Sequence, residues 1–175
     1  MKKNMFLKTL GTAVAMLLLP FMLKAQPHKN SPHDTISGKV AGANIRIVYG
    51  SPGVKGRTIW GDLVPYDKAW RAGADEATTF TTDKDITVQG KKLPAGTYTL
   101  FVIPGKTEWK YIFNSQTGQW GIKRDGSANY EEGKTVLTVT AKPKPAEMQE
   151  RLTYVFYKTG FGLRWEKLEV PVTIK

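Results

Sequence analysis

Between Gly56 and Phe80 the chain reads GRTIWGDLVPYDKAWRAGADEATTF, which places Arg57, Trp60, Trp70, Arg71, Asp75 and Glu76 within one short segment. A guanidinium and a carboxylate presented together bind a polar or anionic ligand, and a flat indole face stacks on the axial C–H groups of a sugar ring. Trp120 joins this set because Gly118 and Gly121 flank it in a turn-rich run, SQTGQWGIKRDG, where burial is harder to arrange. The structural alternatives are plain. Large aromatics in β proteins are more often core than platform, and an arginine beside Asp75 or Glu76 can be an ion pair that fixes the segment. Asp75 and Glu76 are adjacent, so in an extended chain they point to opposite faces and do not form a catalytic pair with each other.

Other chemistry finds less support. There is no cysteine, which removes thiol nucleophiles, thiolate metal sites and thiol redox steps together. No GxSxG elbow, HExxH, P-loop, dinucleotide fingerprint or calcium loop occurs in the chain. His28 and His33 both fall in the stretch PHKNSPHD, read as a flexible leader over residues 26–34, where ligands are not preorganised. No metal or cofactor is expected. A carboxylate-dependent hydrolase acting on saccharides is the enzymatic alternative. It would use two of Asp62, Asp67, Asp75 and Glu76 across an open cleft.

These residues need a scaffold. Lys2 and Lys3 precede an apolar run from Thr12 to Leu23, and Ala25 closes a small-residue cleavage site. Residues 1–25 are therefore expected to be a signal peptide, with an exported product, periplasmic or secreted, and no membrane span after cleavage. Of the formal charge of +11, Lys2, Lys3, Lys8 and Lys24 lie in that segment, and the remainder stays basic. Its lysines are scattered without a run dense enough to follow a phosphate backbone, so no nucleic-acid partner is expected.

Residues 35–175 are expected to form one all-β domain, a two-sheet sandwich of about ten short strands. Ile45, Ile47 and Tyr49 alternate with Arg46 and Val48. Thr97 to Ile103 forms a hairpin with Trp109, Tyr111 and Phe113, and Leu137, Val139 and Ala141 lead to a proline-broken linker, KPKPAE. Leu152, Tyr154 and Phe156 then line one face of a long strand, and Phe161, Leu163 and Trp165 continue on its return. Leu168, Val170, Val172 and Ile174 close the chain in period two, with Pro171 on the outward face of an edge. One short helix is expected over 65–72, from Pro65 at its first position to Gly73 at its stop, with Asp67 and Arg71 paired one turn apart.

The string from Gly56 to Phe80, followed by KKLPAGTYTLFVIP, EWKYIFN, the QWG turn and ERLTYVF, resembles domain-of-unknown-function family 2911, a bacterial family of exported proteins. The resemblance covers residues from about Ser37 to Lys175. It implies an exported β-sandwich and supplies no catalytic residues. Asp75 stands where that family usually has asparagine, and Asp67 where glycine is frequent. The reading that follows is a non-catalytic binding module for a glycan or a small polar or anionic envelope ligand, using Arg57, Trp60, Trp70, Arg71, Asp75, Glu76 and Trp120. A partner-docking envelope protein is the third alternative. The oligomeric state is not legible.

Overall fold

The structure, a computed structural model, describes residues 31–175. The expected signal peptide, and residues 26–30 of the expected leader, lie outside the described residues. The chain is all-β. In order its strands are β1 (His33–Val40), β2 (Ala43–Gly50), β3 (Ala74–Thr82), β4 (Ile86–Val88), β5 (Lys91–Leu93), β6 (Gly96–Ile103), β7 (Trp109–Asn114), β8 (Thr135–Ala141), β9 (Lys144–Tyr157) and β10 (Gly160–Thr173). A single 3-10 turn, Glu132–Lys134, precedes β8. Among the described residues no helix is long and apolar enough to cross a membrane.

Six strands make the larger sheet, in the order β1-β2-β3-β6-β7-β8, with antiparallel pairing throughout. Period-two alternation sets its inner face: Ile45, Ile47 and Tyr49 are buried, whereas Arg46 is exposed. Leu100, Phe101 and Val102 are all buried, because β6 is covered on both sides. Its outer face meets the loop between β7 and β8, which lays Tyr130 over Phe101 with ring centroids 4.8 Å apart.

The facing layer is the β9–β10 hairpin, extended at both edges. Thr87 and Lys175 exchange backbone hydrogen bonds at 2.7 and 2.9 Å, which ties β4 to the end of β10. On the other side, Leu152 N–H donates to Pro52 O at 2.9 Å and Val54 N–H to Glu150 O at 2.8 Å. The chain therefore leaves the larger sheet at Gly50 and borders the second layer within a few residues. Gly50 permits the crossing, since a Cβ there would sit 2.2 Å from the Ala74 carbonyl oxygen. In β10 the inward phase changes between Trp165 and Leu168 around Glu166, with φ 54°, and the pairing register shifts on both sides of Glu166 with the extra residues on β9.

Three local expectations are corrected. β1 begins at His33, inside the stretch expected to be flexible, and pairs His33 with Gly50 and Asp34 with Tyr49. The proline-broken linker is shorter than expected, because β9 starts at Lys144 and sets Pro145 opposite Leu168. A proline is tolerated where a strand has one partner only. No helix forms over 65–72. Asp67 and Ala72 take φ of 59° and 53°, incompatible with a right-handed helix. Trp70 instead exchanges backbone hydrogen bonds with Val102 at 2.7 and 2.9 Å, and Asp67 N–H donates to Pro104 O at 2.8 Å. The segment takes over the edge of β6 beyond Thr99, where the pairing with β3 ends. Three long-range bonds outcompete two turns of marginal helix. The expected Asp67–Arg71 pair is accordingly absent among the described residues.

Candidate functional site

A cleft of about 1030 Å³ opens between the turn after β2, the segment leading into β3 and the loop between β7 and β8. Of the seven residues singled out from sequence, Arg57, Trp70, Arg71 and Asp75 line it, and Trp60, Glu76 and Trp120 do not.

Arg57 curls back on its own turn. Its Nε donates to Val54 O at 3.1 Å and its Nη2 to Gly53 O at 2.6 Å. Arg71 donates from Nε to Gly73 O and from Nη1 to Asp75 O, both at 3.3 Å. A third arginine, Arg151 on β9, also lines the cleft, and its Nη2 donates to Ser51 O. Among the described residues none of these three guanidiniums forms an ion pair with a carboxylate. Burial lowers the Arg71 pKa from its ordinary value, and the charge of Asp75 works against that shift. A guanidinium remains a cation through such a change. Each of the three thus keeps its charge and has N–H groups to spare.

Asp75 is 5% exposed and holds φ 66°. Its Oδ2 accepts the Ser31 N–H at 3.2 Å, and its carbonyl also accepts Gly121 N–H at 3.0 Å. Aspartate and asparagine are the residues other than glycine that best tolerate this left-handed backbone, which gives a physical reason for either at position 75. Gly121 touches the Arg71 stem so closely that a Cβ would lie 2.7 Å from the arginine Cβ.

Trp70 is the cleft's indole. It stacks on Trp165, with centroids 5.8 Å apart and planes at 17°, and meets the edge of Trp60 at 6.2 Å. Trp60 in turn packs edge-on against Trp109 at 4.9 Å and Trp165 at 5.7 Å. Four of the five tryptophans form one cluster beneath the cleft, so Trp60 is packing for Trp70 and not a platform. The buried indole N–H groups of Trp60, Trp109 and Trp165 have no hydrogen-bond partner among the described residues.

Glu76 does not share the cleft with Asp75. It lines a separate hollow of about 230 Å³, where His33 Nε2 lies 2.9 Å from its Oε2. Trp120 is also displaced from the cleft. It forms a backbone bridge with Glu76, and Gly121, the next residue, is the one that faces Arg71. Of the four carboxylates considered for hydrolysis, Asp75 alone lines the cleft.

Sequence reasoning missed Lys55, Lys68, Lys123 and Arg151, which raise the lining to six basic side chains against Asp75, Glu131 and Glu132. Glu131 is itself paired with Lys134 at 3.0 Å. Arg151 carried a weak signal, since it sits in opposite phase to Leu152 and Tyr154, a position that alternation assigns simply to solvent. Trp165 read as core and is core, yet it also floors the cleft.

No curated protein and no solved structure matches the chain. The family described as protein of unknown function (DUF2911) matches residues 31–174, a span that includes all ten strands and every side chain discussed above. The sandwich with its crossing at Gly50 and its arginine-lined cleft is therefore the architecture of a DUF2911 protein, and the chain belongs to that family.

Proposed function

We propose that this domain is a non-catalytic binding module whose cleft takes a small anionic ligand, with an acidic saccharide as the best fit, in the periplasm or outside the cell. The observation that carries this reading is the way Arg57, Arg71 and Arg151 are held. A carboxylate partner would neutralise a guanidinium and occupy its fork. A main-chain carbonyl fixes its geometry without cancelling its charge. Three such groups on one cleft, with lysines at its margin, form a receptor preorganised for oxoanions, so little ordering cost falls on binding. Trp70, backed by Trp165, adds an aromatic surface beside the charges. The volume suits a ligand of several rings better than a free inorganic ion.

The test is a melting-temperature screen of carboxylated, sulfated and phosphorylated saccharides, each beside its neutral counterpart. A ligand at a hundredfold excess over its Kd stabilises by about 2.7 kcal/mol, or a rise of roughly 5 °C or more for a domain of this size. Acidic saccharides are expected to give that rise and neutral ones none. Asp75→Asn keeps a side chain suited to the left-handed backbone and removes the one anionic neighbour of Arg71, so it should tighten acidic ligands. Equal stabilisation by the neutral counterparts, or none by any acidic saccharide, would contradict the reading.

A further inference from the structure

The arginines of the cleft are not one cluster in the chain. Arg57 and Arg151 are both fastened to the same short segment, Ser51–Val54: Arg57 through Gly53 O and Val54 O, Arg151 through Ser51 O. That segment is bridged directly to β9 by the pairing of Gly53 with Arg151. Arg71 is fastened elsewhere, to the carbonyls of Gly73 and Asp75 at the start of β3. The two anchorages belong to different layers of the sandwich, and they meet where Gly50 contacts Gly73 and Ala74.

The unused N–H groups point to what each place can take. Arg57 spends Nε and Nη2 on carbonyls, which leaves both hydrogens of Nη1 and one of Nη2, an end-on fork. Arg71 spends Nε and one hydrogen of Nη1, which leaves both hydrogens of Nη2 and the other of Nη1 to donate. An end-on fork matches two oxygens of a carboxylate, phosphate or sulfate.

We infer that the cleft binds a ligand with two oxoanion groups and reads them separately, one at Arg71 and the other at the Arg57–Arg151 pair. This rests on the reading of the cleft as an anion site and narrows it to multiply charged ligands. Joining two groups on one scaffold makes the second contact intramolecular, so a ligand with two oxoanion groups gains over its relative with one without any new kind of contact.

Calorimetric titration at low ionic strength with two matched pairs tests this and separates the sources of charge. The pairs are galacturonic acid with its α-1,4-linked dimer, and glucose 6-phosphate with glucose 1,6-bisphosphate; galactose and glucose serve as neutral references. In at least one pair the member with two oxoanion groups is expected to bind about 10-fold or more tightly. Arg71→Gln should bring that ratio to within about twofold while leaving the member with one such group bound at the other place. Arg57→Gln with Arg151→Gln should level the ratio in the same way. Should a glutamine variant fail to fold, Arg71→Lys keeps the charge but not the fork and is expected to lower the ratio too. If the members with one oxoanion group bind and their relatives with two gain nothing, or if Arg71→Gln leaves the ratio intact, the two-place inference falls and the anion site stands. If the neutral sugars bind as well as the charged ones, or no charged probe binds, the anion site itself falls.

Discussion

Trp165→Ala should lower folding stability by about 4 kcal/mol, and Trp165→Phe by less than half of that. Trp165 is 1% exposed and touches both Trp70 and Trp60. Alanine would leave a void under the cleft that two large, flat neighbours cannot collapse into without losing their contacts with Trp109 and β6. The second variant separates shape from polarity. The Trp165 indole N–H is buried with no partner among the described residues, so phenylalanine removes no hydrogen bond to them and relieves a desolvated donor while keeping most of the ring. Urea unfolding followed by circular dichroism measures both. A cost below about 1.5 kcal/mol for alanine would show that the cluster is not part of the cooperative core. Equal costs for the two variants would show that the N–H has a partner after all.

Gly50→Ala is the other severe change, expected to cost about 3 kcal/mol or more. The added methyl would lie 2.2 Å from the Ala74 carbonyl oxygen, a main-chain atom that no rotamer change can move. The strain falls where the chain passes between the two layers, directly beside the carbonyls that hold Arg71 and Arg151. The variant should therefore weaken ligand binding along with stability. Gly133→Ala is its control: a Cβ there meets nothing within 4 Å and the backbone is not left-handed, so its effect should stay within about 0.5 kcal/mol. Comparable melting temperatures for the two variants would refute the steric account of the crossing.

Much of the scaffold was legible because a strand writes its orientation into every second residue. Ile45, Ile47 and Tyr49, the alternation of Trp109, Tyr111 and Phe113 in the returning strand of the hairpin, and the odd-to-even change between Trp165 and Leu168 are all written in alternation. The segment over 65–72 misled for a physical reason. Pro65, Asp67 and Gly73 carry genuine helix-end signals, but the pairing partner that overrides them, Val102, lies far along the chain. Local propensity is a weak prior against hydrogen bonds of that range. Trp120 misled in the reverse direction, because its glycine neighbours suggested an exposed loop indole, whereas Gly121 itself serves the site by letting Arg71 lie against it.

The site was half visible for the same reason. Arg57, Trp70, Arg71 and Asp75 share one segment and were found together. Arg151, on β9, reaches them only through the bridge with Gly53. Nor does spacing show that an arginine is held by carbonyls instead of a carboxylate, and on that distinction the anion-binding reading depends.

The most direct measurement is of the guanidiniums themselves. In a nitrogen-15-labelled sample at low ionic strength, the side-chain resonances of Arg57, Arg71 and Arg151 are expected to shift together and saturably as the galacturonic acid dimer is added. Arg164, already bound to Glu169 by Nε at 2.8 Å and Nη2 at 2.7 Å, should stay still and serves as the internal reference. Saturable binding that moves other residues but leaves those three resonances where they began would contradict the account.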